Sequence, residues 1–488
     1  MRFMTLDVGT TCAKAQVFDE RGEILFYEAE NCPLLKKDGV AYVDIPAVTG
    51  AAENLIRKGA AAGPVSAVAF SSFGESFVML DKSGALLGDC MLYTDRRGEE
   101  GAAEIAEKIG KEELYAVTGC VPHSLYSIGK ILWIKNHRPD LFARTDLIFL
   151  MGDYLGYLLT GKRVIDWGLA ARTGVFDIRR KEFAKDILGR LGVPAGLFSE
   201  AKPAGSVIGT VLPEKAEALG LPGDCVVVLG SHDQVCATLG AGVTEIGQAC
   251  DGMGTVECIT AVFENPPEDL SFGEKGYCTV PFPGGRYCTY MFNYTSNAAV
   301  DWFRRDILHG YAGGEKNQFR YLEREDSAPT DILCLPYFAG AATPYQDNGA
   351  KAAFVNVTLA SGDTDLFRAI LEGTNYEMKV NLAEAARYGI PIRELVATGG
   401  GANSRLWLQI KSDILGLPVK TLRSAEGGLC GLAMLCAVAL GVSENLEKAR
   451  DVFVRPGESC FPRDNYAEIY ADKYAKYTKL YRLLKEME

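Results

Sequence analysis

The stretch Phe3-Met4-Thr5-Leu6-Asp7-Val8-Gly9-Thr10-Thr11 reads as a buried strand that ends in a carboxylate and a glycine-hydroxyl turn. Gly9-Thr10 lead to Val17-Phe18-Asp19, and Gly254-Thr255 lead to Val262-Phe263-Glu264 at the same interval. The two copies stand about half the length of the 488-residue chain apart. Each is a Gly-Thr turn followed by β-prone residues, the form of a hairpin that grips phosphate. Glycine lets the backbone approach closely, and hydroxyls donate to phosphate oxygens. Two such hairpins facing one another across a cleft would hold the two ends of a triphosphate. The pattern therefore points to a duplicated, two-lobed, nucleotide-dependent enzyme, with chance similarity of a short motif as the competing reading.

Outward from the first turn, Ala13 to Phe18 and Ile24 to Ala29 read as a hairpin through Asp19-Glu20-Arg21-Gly22. Ala47 to Gly59 has helical spacing, and Val65 to Ser71 is a second buried strand. A further hairpin is expected from Phe77 to Leu80 to a strand near Cys90 to Tyr93, turning at Asp81-Lys82-Ser83-Gly84. Residues 99–200 read as mainly helical, with amphipathic spacing in Glu99 to Ile109 and Ile128 to Asn136. Val226 to Leu229 is a short apolar strand that breaks at Gly230 and leads into a helix around Gln234 to Leu239. In the second half, Ile332 to Tyr337 and Leu395 to Thr398 read as strands and Thr364 to Arg387 as a long helix. Tyr466, Tyr470, Tyr474, Tyr477 and Tyr481 form a stripe that packs the last helix onto the body. Mixed hairpins interleaved with helices argue for α/β lobes with mixed sheets.

A chain of this length suggests two or three domains. The formal net charge of -12 weighs against a nucleic-acid partner, which needs clustered positive charge. No apolar run is long enough to span a membrane, and Met1 to Asp7 lacks the apolar core of a signal peptide. The 14 cysteines include no CxxC pair, which suits a reduced, cytoplasmic protein. His123, His137, His232 and His309 show no metal-ligand spacing, which argues against zinc.

Three junctions carry chemistry. Asp7, at a strand end beside Thr10 and Thr11, suits a hydrated magnesium ion next to phosphates. Thr398-Gly399-Gly400-Gly401-Ala402-Asn403-Ser404 joins a strand to a helix, Arg405 to Leu415, and lets a flat or anionic ligand lie against backbone. It is not a P-loop, because Gly-Lys-Ser/Thr is absent. Gly230-Ser231-His232-Asp233-Gln234 sets a carboxylate at a helix start, where phosphoryl transfer to a hydroxyl could use it as a base. An N-cap aspartate is the plain alternative for Asp233, and His232 reads as structural.

Taken together these motifs resemble those of the FGGY family of carbohydrate kinases. Asp7-Val8-Gly9-Thr10-Thr11 is similar to its first phosphate motif, and Gly254-Thr255 to its second. Lys130-Ile131-Leu132-Trp133-Ile134-Lys135-Asn136 resembles most of the first family signature, and Asp365 to Gly373 the end of the second. Gly399 to Asn403 resembles the adenosine motif. The resemblance implies an α/β fold of two actin-like, ribonuclease H-like lobes with mixed sheets around a central cleft. Residues 1–245 would form the N-terminal lobe and 246–488 the C-terminal, nucleotide-binding lobe. It implies ATP and Mg2+ as cofactors, a small-molecule sugar as substrate, and room for a homodimer, with no nucleic acid or membrane partner.

By the same resemblance Asp233 is the base that takes the sugar proton, and Asp7 and Asp233 hold the metal. Glu75, Ser76, Asp95, Arg96 and Gln234 line the sugar site. Thr10, Thr11, Gly254, Thr255, Gly400, Gly401 and Asn403 hold the nucleotide. Two positions depart from the family pattern: Asn356 stands where the second signature has glycine, and Asn297 where glycine is frequent near the nucleotide. The loop Ser72-Phe73-Gly74-Glu75-Ser76 has neither the Met-His-Gly of typical xylulokinases nor the Arg-Glu pair of glycerol kinases. The sugar is therefore not carried over, and xylulose, ribulose and fuculose-like sugars lead. A non-catalytic sugar or nucleotide sensor and a chaperone-like ATPase are the rival readings. Intact Asp7 and Asp233 speak against the first, and the sugar-type loop against the second.

Overall fold

The computed structural model describes residues 1–309, 320–323, 328–423 and 426–487. Its first sheet begins with β1 (Arg2–Val8), whose Phe3, Met4, Leu6 and Val8 are fully buried. Apolar residues on both faces are what a central strand covered on two sides requires. β1 runs antiparallel to β2 (Cys12–Asp19), which runs antiparallel to β3 (Ile24–Asn31). On its other side β1 is parallel to β4 (Ala67–Ser72). After an edge strand β5 (Val207–Thr210), β6 (Val226–His232) returns parallel to β4 and antiparallel to β5. The order across the sheet is β5-β6-β4-β1-β2-β3.

The second sheet repeats this arrangement. β7 (Gln248–Met253), β8 (Glu257–Phe263) and β9 (Arg286–Asn293) form the antiparallel meander. β10 (Glu394–Thr398) lies parallel to β7, and β11 (Val419–Leu422) parallel to β10. β12 (Pro456–Cys460) closes the edge antiparallel to β11. Read from the meander, β9-β8-β7-β10-β11-β12 matches β3-β2-β1-β4-β6-β5 in order and direction, and the short strand Val280–Phe282 adds a seventh, antiparallel to β9. The duplicated Gly-Thr motif is thus the turn between the first two strands of each sheet.

Helix α1 (Ile45–Ala60) covers the first sheet. Asp44 caps it by accepting from the Ala47 amide at 3.0 Å, and Val48, Ala52, Leu55 and Ile56 supply its buried face. The lobes meet where α2 (Asp233–Gly240) packs on a helix of the second half, here α5 (Gly427–Ala439), with α3 (Asp363–Arg387) and α4 (Arg405–Leu415) preceding it. A Cβ at Gly240 would collide with the Gly427 carbonyl, and one at Gly431 with the Cys236 carbonyl. This backbone-to-backbone approach holds the start of α2 between the two sheets. On α6 (Asp464–Lys485) the tyrosine stripe packs as expected. Tyr477 and Tyr470 are buried and donate to Glu377 at 2.6 Å and Glu372 at 3.3 Å on α3.

Two local expectations are corrected. Phe77–Leu80 pairs with Leu86–Leu87, while Cys90–Met91 pairs with Val40–Val43 in a separate small sheet. The turn falls at Asp81 to Gly84 as expected and is tight, its carboxylate accepting from the Ser83 and Ala85 amides, so the returning strand already begins at Leu86. The expected Ile332 to Tyr337 strand is only Leu333–Leu335. Residues 99–200 hold helices but also short strands such as Leu147–Leu150 and Val164–Asp166. All 14 cysteines are free thiols, and all but Cys12 are buried. Among the described residues no helix is long and apolar enough to cross a membrane.

Candidate active site

Asp7 sits near the C-terminal end of β1. Its Oδ1 accepts from Ser71 Oγ at 2.5 Å, and the N-terminal turn of α5 abuts it, a Cβ at Gly428 standing 3.4 Å from Asp7 Cγ. Burial raises its pKa, with the Ser71 bond and the charge of Lys14 opposing. Lys14 is turned to Glu426, with Nζ to Oε2 at 2.9 Å, and Tyr27 also donates to Glu426 at 3.2 Å.

Asp233 is the first residue of α2. Burial raises its pKa to about 7, and the charges of Asp7 and Glu75 add to the effect. The carboxylate is enclosed by protein, yet 35 % of the side chain faces open space, so solvent tempers this shift. Its charge in turn acts on Tyr290 and Cys258 of the second half, which places it between the lobes. His232 stands beside it, Nε2 at 3.2 Å from Asp233 Oδ1, and its Nδ1 lies 2.9 Å from Tyr290 Oη. Burial, then the Arg172 charge, keeps the ring neutral.

Glu75 has left-handed backbone, φ +64°, which costs an ordinary L-residue energy and gathers at functional sites. Its carboxylate is already engaged: Arg172 Nε donates to Oε1 at 2.6 Å, and Nη2 pairs with the same oxygen. Arg172 lies close to the rings of Tyr126 and Tyr290, 5.2 and 5.4 Å from their centroids. Ser76 is buried beside it with its amide on the Gly74 carbonyl. Gln234 follows Asp233 and donates its amide to Asp233 Oδ1 at 2.6 Å.

Asp95 and Arg96 part company. Asp95 points inward and accepts from Arg97 Nε at 2.9 Å. Burial opposes its charge, but the Arg97 bonds outweigh burial and hold the carboxyl below its usual range. Arg96 is 86 % exposed at its side chain and pairs with Glu99. The structure therefore turns Arg97, not Arg96, toward Asp95. Lys130, from the stretch that resembles the first family signature, is fully buried and donates to the carbonyls of Ser124, Leu125 and Tyr126. Burial drives its pKa down to about 8. Two residues were not singled out from sequence. Tyr93, half exposed, feels the charges of both Glu75 and Asp233, and Arg172 clamps Glu75. An aromatic two residues ahead of Asp95 was the available signal.

In the second half, Gly400, Gly401 and Asn403 form a short 3-10 turn that lines a cavity of about 150 Å³ with Asn297, Arg304 and Trp407. Gly399 takes φ +80°, and a Cβ there would stand 2.9 Å from the Met253 carbonyl, so the glycine-rich turn lies against the Gly254 turn. Asn297 ties the two by donating to the carbonyls of Met253 at 2.8 Å and Gly254 at 3.1 Å. The Thr255 carbonyl accepts the Ser296 amide at 3.1 Å. Asn356 adopts φ +66°, so it occupies the left-handed conformation for which the family pattern has glycine. Thr10 and Thr11 lie on the first turn, closed by the Gly9 amide on the Cys12 carbonyl at 2.9 Å.

Among the described residues no group of three or more acidic, His or Cys side chains gathers as a metal cage. Asp7 and Asp233 instead offer hard carboxylate oxygens, near enough that the charge of Asp7 raises the pKa of Asp233, a donor set that fits Mg2+ shared with phosphates.

Two lobes of one duplicated topology, meeting over a carboxylate and a glycine-lined cavity, define a phosphotransferase of the actin-like class. The chain belongs to the FGGY family of carbohydrate kinases: residues 3–240 match the family's N-terminal domain and 254–440 its C-terminal domain. It is 25 % identical to the xylulose kinase of Bacillus subtilis over 99 % of this chain and 97 % of that protein. It is 26 % identical to the gluconokinase of the same organism, over 92 % and 89 %. The solved xylulose kinase of Rhodospirillum rubrum shares the fold with a TM-score of 0.92 at 24 % identity, covering 100 % of this chain and 99 % of that one. The chain is accordingly an ATP-dependent carbohydrate kinase.

Proposed function

We propose that this kinase phosphorylates a hydroxyl of a ketose or polyol, xylulose, ribulose or a fuculose-like sugar, with Asp233 as general base. One observation carries the reading. Asp233 stands between the lobes, open to the cleft, with its pKa raised to about 7 by burial and by Asp7. A base poised near the operating pH can take a proton and still be regenerated. Glu75, clamped by Arg172, Ser76, Gln234, Asp95 and Tyr93 orient the sugar. Thr10 and Thr11 on one turn, and Gly254 and Thr255 on the other, take the phosphates, while Gly400, Gly401 and Asn403 hold the nucleoside. Asp7 and Asp233 would hold Mg2+, which supplies charge neutralisation on the phosphates. Residues 1–245 act as the sugar lobe and 246–488 as the nucleotide lobe, in the cytoplasm. Arg96 is left out, because it faces solvent.

The test is a coupled ADP-release assay over xylulose, ribulose, fuculose, gluconate and glycerol. One ketose or polyol should raise ADP release well above the rate with water as acceptor. Gluconate as the sole acceptor, or no stimulation by any, would overturn the substrate reading.

A further inference from the structure

We propose that Tyr290 is a positioning residue that the second lobe contributes to the sugar site of the first. It sets His232 against Asp233 and, through Arg172, steadies Glu75. This rests on the reading of Asp233 as the base.

Tyr290 lies on β9 and is buried. Its hydroxyl is 2.9 Å from His232 Nδ1, and the other ring nitrogen is 3.2 Å from Asp233 Oδ1. The ring's hydrogen bond is the one to Tyr290, while Nε2 makes a close polar approach to Asp233. A carboxylate only accepts, so the neutral tautomer with its hydrogen on Nε2 is the one that suits Asp233, and it leaves Nδ1 to accept from Tyr290. The phenol thus selects the tautomer that turns an N–H toward the base. It is the outer partner that orients a functional ring, and such partners matter almost as much as the ring itself.

The same side chain acts a second time. Its ring centroid lies 5.4 Å from the Arg172 guanidinium, which also has the Tyr126 ring at 5.2 Å. Arg172 donates at 2.6 Å to Glu75, which is held with φ +64°. One residue of the second half therefore touches the supports of both acidic groups of the sugar cleft. A phenylalanine would fill the same space and keep the contact with Arg172, so the hydroxyl and the ring are separable by experiment.

Tyr290→Phe, Tyr290→Leu, His232→Asn and Tyr290→Phe with His232→Asn are assayed for ADP release with Mg-ATP and the fastest acceptor of the sugar panel, with thermal unfolding alongside. Tyr290→Phe should lower kcat by roughly tenfold and leave the sugar KM nearly unchanged, the scale at which outer partners act. The double variant should be no worse than His232→Asn alone, because the two residues act through one contact. Tyr290→Leu should in addition raise the sugar KM, since the guanidinium loses one of its rings. Wild-type kcat in Tyr290→Phe, additive losses in the double variant, or a Tyr290→Phe protein that does not fold would each overturn the positioning role. Asp233→Asn separates the two claims. If it keeps wild-type turnover, the base reading itself fails. If it is inactive while Tyr290→Phe is unimpaired, only the role of Tyr290 falls.

Discussion

The turn after Asp7 and the turn after Gly252 occupy the same place in two sheets of the same strand order, but their charges are handled in opposite ways. In the first lobe Asp7 is left facing Asp233, and the nearby cation Lys14 is engaged by Glu426. In the second lobe Asp251 and Glu257 flank the turn at 0 % exposure, and Lys411 from α4 pairs with both, 2.6 Å from Asp251. Ser296 adds a bond to Glu257 at 2.9 Å. Asn297, which lines the nearby cavity with Gly400 and Gly401, donates its side-chain amide to the Met253 and Gly254 carbonyls of that turn. On the proposed reading, one duplicated scaffold leaves carboxylates open where phosphoryl transfer would use a base and a metal, and pairs them with a lysine where the phosphates would approach.

The sharpest break of this contrast is to open the seal. Lys411→Met should leave two carboxylates buried without their cation, a loss on the order of 3–5 kcal/mol in stability, measured by urea unfolding. Asp7→Asn, its counterpart in the first lobe, should leave the unfolding midpoint at or above wild type, since it removes a buried charge. It should raise the Mg2+ requirement for sugar phosphorylation by about 10–100-fold. Equal destabilisation by the two variants would erase the distinction between the turns.

A smaller effect is the pH profile. Asp233 ionises near pH 7 in the folded chain, above the ordinary carboxylate range. The base form therefore grows as pH rises, and kcat/KM should climb about tenfold per unit below pH ~7 and level above it. Stability has the opposite sign. A raised folded pKa means the folded chain holds this proton longer than the unfolded one. The contribution of Asp233 is thus largest below its unfolded pKa and is lost as pH rises toward about 7. Asp233→Asn should flatten that decline, and a rate that is level from pH 5 to 8 would contradict the assignment.

Much of the fold was legible, because local signals were strong: the apolar β1, the hairpin turn at Asp19, the helix from Thr364 and the tyrosine stripe all sit where pattern and packing agree. The strand-to-helix junction at Gly399 to Gly401 was legible through its three glycines. What failed was orientation and long-range pairing. Arg96 and Arg97 are neighbours just before the helix that starts at Gly98, and only the helix direction decides which faces inward. Lys411 in Gln409-Ile410-Lys411-Ser412 looks like a surface lysine, and its two partners lie in strands far back in the chain. Arg172, Tyr290 and the His232 ring come together only through the meeting of the lobes.

One paired measurement reads the split between base and grip most directly: sugar-stimulated ADP release and ATP binding in Asp233→Asn. Loss of the base should lower turnover by ~10²–10⁴ while ATP binds as in the wild type, because the nucleoside cavity is built from Gly400, Gly401, Asn403 and their neighbours. Turnover within a few-fold of wild type, or a parallel loss of ATP binding, would contradict the division of labour between the two lobes.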